Sequence, residues 1–439
     1  MSAASFFAPN NTGFMIAAPS SGAGKTTLTL AILRALARKG PVRGAKCGPD
    51  YIDPQFHSAA TGRTCLNLDG WAMTDTCLIA RAQSDPAPLI IEGAMGLFDG
   101  ELPYAKGSAA RVAKTLGLPV VLIVDAAKTA QSVAAVVRGM MFHDPDVQIA
   151  AVILNRVGSD KHRRMIESAW ADLPPIIGAV PRSGQLSHPS RHLGLVQADE
   201  RADLIEWLDA LADTAEAHIG LSALPFAPLG GSPHAAAKTI GPPAQRIAIA
   251  QDEAFRFVYP HMLQEWHAAG AQITPFSPLR NDPVPEVDFV FLPGGYPELY
   301  AGKIAANSTF INSLKNTSKK TDIYGECGGY MLLGAGLIDA DGTRHQMAGL
   351  LDLETSFKHR KLHLGYRSLT PLAPQTTGLF ANNNSTAVPA HEFHYASTLR
   401  ANGTPLFAAK DSEGASLSHM GLIEGRVRGS FAHIIEFNT

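Results

Sequence analysis

No stretch of this chain is long and apolar enough to cross a bilayer; the longest apolar run, LPVVLIV at residues 118–124, is far too short. A strong charge of either sign is also missing. Net charge is −2 with 17% charged residues, so the balance points to no nucleic acid and no membrane surface as partner. Cysteine is scarce: Cys47, Cys65, Cys77 and Cys327 form no CxxC pair and no dense framework. That argues against a disulfide-stapled secreted scaffold and for a reduced compartment. The opening MSAASFFAPNNTGF lacks a basic stretch followed by an apolar core, so no signal peptide is expected. What is present, 439 residues with 46% apolar content, predicts a globular cytoplasmic protein of two or three domains.

The first half reads as alternating strands and helices. FMIAA at 14–18 runs into Pro19, Ser20, Ser21, Gly22, Ala23, Gly24, Lys25, Thr26 and Thr27, then a helical pattern over 28–38. A strand, a glycine-rich turn, Lys-Thr and a helix together make a phosphate cradle. Backbone N–H groups at Ser21, Gly22, Gly24 and Thr27 would face phosphates, Lys25 would reach the β/γ oxygens and Thr26 would bind Mg2+. Pro19 stands where the strict pattern has glycine. Strand-like runs recur at 89–92, 118–124 and 148–154, separated by helical patterns, which predicts an α/β domain with a mainly parallel sheet. Glu92 and Asp125 end two of these runs and are candidate metal-side acids, or else caps and loop charges. Asn155 ends a third, placed to read an adenine edge or to form a turn. The loop CGPDYIDPQFH at 47–57, with Asp50, Tyr51, Ile52 and Asp53, falls at the mouth of this sheet. The helical pattern decays from about Thr214, and 224–245 is rich in Pro, Gly, Ala and Ser. The expected organisation is therefore a P-loop domain at 1–213, a linker at 214–245 and a second α/β domain at 246–439.

In that second domain, TDIYGECGGYMLLG at 321–334 reads as a strand, a corner of small residues and a helix, with Cys327 at the tip. A thiol so placed is a candidate nucleophile, the alternative being a buried core cysteine. DFVFLPGGYPE at 288–298 ends a strand in Gly294 and Gly295, whose backbone N–H groups, with that of Gly328, suit an oxyanion hole. His433, in GSFAHIIEF at 429–437, is a candidate base for the thiol.

These three stretches, in this order, resemble a class I glutamine amidotransferase domain. In the first half, APSSGAGKTT, KCGPDYIDPQFH, EGAMGLFDG, VILNRVGSDKH and PSRHLGLVQADE occur in the order of the cobyrinic or hydrogenobyrinic acid a,c-diamide synthase family, whose loop shares Pro19. The resemblance covers nearly the whole chain. It implies that Cys327 attacks the side-chain amide of glutamine with His433 as activator. It further implies that ATP and Mg2+, the latter held by Thr26, Glu92 and Asp125, activate the a and c carboxylates of a corrinoid as acyl phosphates. Asp50 and Tyr51 would meet that substrate, and Ile52 would shape the pocket that selects the first carboxylate. Many class I members carry an acid two residues after the histidine; here residue 435 is Ile and the nearest acid is Glu436, so a Cys–His dyad is expected. Partners implied are the corrinoid, ATP and L-glutamine, with a homodimer as a candidate assembly. Another tetrapyrrole such as nickel sirohydrochlorin, or cobyric acid synthase chemistry, are the alternatives within the enzyme class. A partitioning-type ATPase shares the P-loop half only.

Overall fold

The apolar runs of the first half become strands buried along nearly their whole length, and the helices between them return the chain to the end of the sheet where the strands start. That alternation forces the strands parallel. The computed structural model describes residues 9–183, 197–231, 241–381 and 386–437. The chain divides into two units, residues 1–237 and 238–439. Most of the PSRHLGLVQADE motif, up to residue 196, lies outside the described residues.

In the first unit the strand order is β3 (Leu66–Leu68), β2 (Arg43–Cys47), β4 (Leu89–Glu92), β1 (Thr12–Ala17), β5 (Val120–Asp125), β6 (Ile149–Val157) and β7 (Ile176–Pro181), all parallel. Helices α1 (Lys25–Ala37), α2 (Asp53–Thr61), α3 (Asp75–Ala82), α4 (Ala109–Leu116), α5 (Ser132–His143), α6 (Asp160–Glu167) and α7 (Leu204–His218) connect and flank them. Parallel strands present one common C-terminal edge. The phosphate loop after β1, loop 48–52 after β2 and Glu92 at the end of β4 therefore meet there. The expected linker start at 214 moves. Helix α7 continues to His218, burying Trp207, Leu208, Leu211, Ala212 and Ala215, while Arg34 and Arg38 of α1 pair with its Asp209 and Asp213. Packing against α1 thus sustains a helix that sequence pattern alone lets fade. Further on, β8 (Ala227–Pro228) adds to β1 antiparallel.

The ten-stranded sheet of the second unit runs β10 (Gln272–Phe276), β9 (Arg246–Ala250), β11 (Phe289–Leu292), β12 (Asp322–Glu326), β21 (Val427–Ser430), β20 (Met420–Glu424), β19 (Thr404–Lys410), β16 (His363–Pro371), β17 (Val388–His394), β22 (His433–Ile434). It is parallel from β10 to β21 and antiparallel beyond. A smaller sheet holds β13 (Gly336–Ile338), β14 (Arg344–Gln346), β15 (Asp352–Ser356) and β18 (Ser397–Asn402). Helices α8 (Pro260–Ala268), α9 (Ala301–Ala306), α10 (Ser308–Thr317) and α11 (Gly328–Leu333) complete the unit. Its core holds the fully buried rings of Trp266, Phe291, Tyr324, Phe380 and Phe407. Three edge-to-face pairs, Trp266–Phe291, Tyr324–Phe380 and Phe380–Phe407, join them. Each contributes about 1 kcal/mol beyond the area it buries. Among the described residues no helix is long and apolar enough to cross a membrane.

Candidate active sites

The turn between β1 and α1 is shaped by glycine. Gly22 and Gly24 take φ of 78° and 94°, the region where a side chain is strained. A Cβ on Gly24 would also stand 2.2 Å from Asn155 Nδ2, because that amide donates to the Ala23 carbonyl at 2.8 Å. Asn155 thus sits beneath the loop and braces it. Ser21 and Gly22 face solvent, and Thr27 follows in the first turn of α1. Lys25 is buried, with its ammonium donating to the carbonyls of Met95 and Ser20. Burial, and then Lys46, lower its pKa from the ordinary lysine range.

Behind Lys25 lies a charged cluster. The Thr26 hydroxyl donates to Glu92 at 2.6 Å and to Asp53 at 3.2 Å. Lys46, from β2, reaches Asp53 at 2.6 Å and Glu92 at 2.7 Å. His57 contacts the other Glu92 oxygen at 2.7 Å. Burial works against charge at both Lys46 and Glu92. Asp53, Glu92 and Asp50 nonetheless hold the Lys46 ammonium well above its usual range, and Lys46 and His57 hold Glu92 below the usual carboxylate range. Asp50 accepts from the Ile52 and Asp53 N–H groups, folding loop 48–52 into the start of α2. Burial and the neighbouring Asp53 push its carboxyl up. Tyr51 is half-buried beside it and Ile52 is buried.

Thr26 and Glu92 are therefore brought together, and Asp53 joins them. Asp125 is not part of this group. Its carboxylate pairs with Arg156 at 2.5 Å and accepts from Ala127 N–H at 2.9 Å, while Arg156 also donates to the Gly22 carbonyl. Because β1 lies between β4 and β5, Glu92 and Asp125 stand on opposite sides of the loop. Lys46, Asp53 and His57 lie within the sequence motif, but only folding shows their convergence on Glu92. The signal was a lysine near the end of a strand buried along its whole length.

In the second unit, β12 ends at Glu326 and α11 begins at Gly328, leaving Cys327 at the corner with φ of 46° and ψ of −102°. A non-glycine residue there is strained, a frequent property of reactive corners. The corner is held by Cys327 N–H donating to Ser430 at 2.9 Å and Gly329 N–H donating to Pro293 at 3.1 Å. The Gly328 N–H points at the sulfur. A Cβ on Gly294 would lie 2.2 Å from His433 Cε1, 3.0 Å from its Nε2 and 3.3 Å from Cys327 Cβ. Thiol, imidazole and the Pro-Gly-Gly turn thus share one small space, and the Gly328 α-carbon faces the Gly295 amide. Burial, then Glu298, raise the Cys327 pKa. The resting group is a thiol that needs a base to become nucleophilic.

In this unit the sequence also leaves one neighbour of the histidine unmarked. Glu326, immediately before the cysteine, has a carboxylate oxygen 3.6 Å from His433 Nδ1. Glu436, the nearest acid in sequence, accepts from its neighbour Phe437 N–H. Nearby, His363, Glu392 and His394 bring three ligand-type atoms within 4.8 Å of one another. Their geometry does not suit an ion. The two imidazoles stack at 4.7 Å and 7°, so their in-plane lone pairs lie in two nearly parallel planes rather than converging, and Arg367 already neutralises Glu392 at 2.8 Å.

The fold and the two sites define a class, and the family comparisons agree with it. Residues 14–196 match the CobQ/CobB/MinD/ParA nucleotide binding domain, and residues 246–439 match the CobB/CobQ-like glutamine amidotransferase domain. The chain is of the class of glutamine-dependent, amide-forming ligases. It belongs to the a,c-diamide synthase family. Hydrogenobyrinate a,c-diamide synthase of Rhodobacter capsulatus is 50% identical over 432 residues, covering 96% of this chain and 98% of that protein. The Brucella abortus protein of the same name is 48% identical over 438 residues, covering 97% and 99%. That of Rhizobium meliloti is 46% identical over 434 residues, covering 97% and 99%.

Proposed function

We propose that this protein converts the a and c carboxylates of hydrogenobyrinic acid to amides, using ATP and glutamine. The observation that carries the reading is a full-length match to proteins of that named activity, in a chain whose two units each hold a chemically suited site. The cobalt-free substrate is favoured over cobyrinic acid because the relatives are named for it.

The chemistry divides between the units. In the second, the Cys327 sulfur, its proton passed to His433 Nε2, bonds to the amide carbon of glutamine, and the carbonyl electron pair moves onto oxygen. The N–H groups of Gly295, in the turn opened by Gly294, and of Gly328, at the start of α11, stabilise that oxyanion. The imidazolium returns the proton to nitrogen, the C–N bond breaks and ammonia leaves. Water then hydrolyses the thioester to glutamate. In the first unit, a substrate carboxylate oxygen takes the terminal phosphoryl group of ATP, giving ADP and an acyl phosphate. Ammonia attacks the acyl carbon and phosphate departs. Ser21, Gly22, Gly24, Thr26 and Thr27 line the phosphate cradle, braced by Asn155, and Lys25 neutralises the transferring group. Asp50, Tyr51 and Ile52 meet the corrinoid at the same sheet edge. The hard oxygens of Thr26, Glu92 and Asp53 fit Mg2+, and their carboxylates already gather around a cation, Lys46. Mg2+ supplies charge neutralisation on phosphate oxygens when bound.

The test is product mass spectrometry with hydrogenobyrinic and cobyrinic acids, counting amides. Two amides added to the cobalt-free acid are expected, and inertness toward it ends the reading. Cys327→Ser should abolish glutamine use while amidation from free ammonia, the first unit's chemistry, persists. Lys25→Ala should abolish amidation from either nitrogen source.

A further inference from the structure

We propose that Glu326 is the positioning residue for His433, supplying from the strand before the nucleophile the carboxylate that many Cys–His sites take from beyond the histidine. The proposal rests on the glutaminase reading above. The register of β12 against β21 places Glu326 beside Ser430, three residues from His433. One Glu326 oxygen accepts from the Ile434 N–H at 3.0 Å, which fixes the carboxylate next to the imidazole. The other lies 3.6 Å from His433 Nδ1. The opposite edge of the ring, Cε1 and Nε2, faces Gly294 and the Cys327 side chain. The imidazole therefore spans from acid to thiol, with one nitrogen for each. Position 435, where an acid would follow the usual spacing, is a fully buried Ile whose N–H donates to Pro389.

Two physical points favour a working carboxylate over a structural one. Glu326 is 2% exposed, and among the described residues no Lys or Arg ion-pairs with it. A buried carboxylate without a cation is costly unless a cation forms beside it, and proton transfer from Cys327 to Nε2 forms one: the imidazolium donates its Nδ1–H to Glu326. The separation exceeds a hydrogen bond at rest and closes to one when the ring gains its second proton. A carboxylate facing Nδ1 also favours the proton on that nitrogen, leaving Nε2 unprotonated toward the sulfur before glutamine arrives. Other titratable groups around the pair are Tyr324, on the same strand as Glu326 and within reach of its charge, His391, opposite His433 in the β17–β22 ladder, and Glu298 and Glu392, which act on the Cys327 thiol. All are untouched by the test.

Glu326→Gln preserves size and the acceptor for Ile434 N–H while removing the charge. Glutamine-dependent kcat should fall about 100-fold or more with KM nearly unchanged. Ammonia-driven amidation should persist, and the acid limb of the glutaminase kcat/KM profile should move to lower pH, since the imidazolium loses its counter-charge. An unchanged kcat and an unmoved acid limb would overturn the proposal, and so would equal loss of both activities. If the variant does not fold, 15N NMR of the wild-type histidines decides: His433 as the Nδ1–H tautomer supports the proposal, and as the Nε2–H tautomer overturns it. Wild-type glutamine use in Cys327→Ser would instead sink the glutaminase reading itself.

Discussion

At the scale of single residues, the amidotransferase corner leaves room for hydrogen and nothing more. A methyl group on Gly294 would overlap the His433 ring, so Gly294→Ala should lower glutamine-dependent kcat about 100-fold by displacing the base, with ammonia-driven activity as the control. The thiol and its corner are legible in the sequence because a small-residue bend between a strand and a helix is a local pattern. Glu326 is not legible in that way. It adjoins Cys327 in sequence, yet its relation to His433 depends on two strand ends, β12 and β22, coming together across the sheet. Lys46 shows the same limit. A lysine among small residues in RGAKC reads as a polar strand position, whereas in the fold it is the hub of three carboxylates.

At the scale of elements, the charged hub makes a pH-dependent prediction. Lys46→Ala leaves Glu92 and Asp53 close together without their cation, and should destabilise the first unit by roughly 3–5 kcal/mol at neutral pH. In the wild type Glu92 is depressed, so its favourable contribution is present above the unfolded carboxylate range and is lost as pH falls through its lower folded value. In the variant the depression that Lys46 imposes on Glu92 is lost. The deficit should be fullest above about pH 4, the unfolded range, and shrink below it. Urea unfolding at several pH values checks this. Glycines separate two kinds of helix. Gly329→Ala in α11 would put a methyl 1.9 Å from the Leu292 carbonyl oxygen and should cost about 3 kcal/mol. Gly139, in the middle of α5, has nothing within 4 Å of its absent Cβ, so Gly139→Ala should stabilise by about 0.5–1 kcal/mol. Helix extent was harder to read than helix existence: α7 outlasts its pattern because α1 offers it an apolar face and two arginines.

At the scale of the whole molecule, two units with separate cores should unfold in separable steps. Calorimetry should show ATP with Mg2+ raising one transition, by about 2.7 kcal/mol at a hundredfold excess over Kd, and leaving the other in place. The strand–helix alternation made the first unit's parallel sheet readable from sequence. The second unit's mixed sheet was less so, since antiparallel strands from β16 to β22 join it from far along the chain. The ammonium of Lys46 carries one more consequence. Because the corner of Thr26, Asp53 and Glu92 comes with its own resident positive charge, a divalent ion arriving alone gains little by entering and must evict a tenant. An ion escorted by phosphates offers the lysine somewhere else to go. Magnesium titrated without nucleotide should therefore leave the melting profile where it was, and shift it once nucleotide is present.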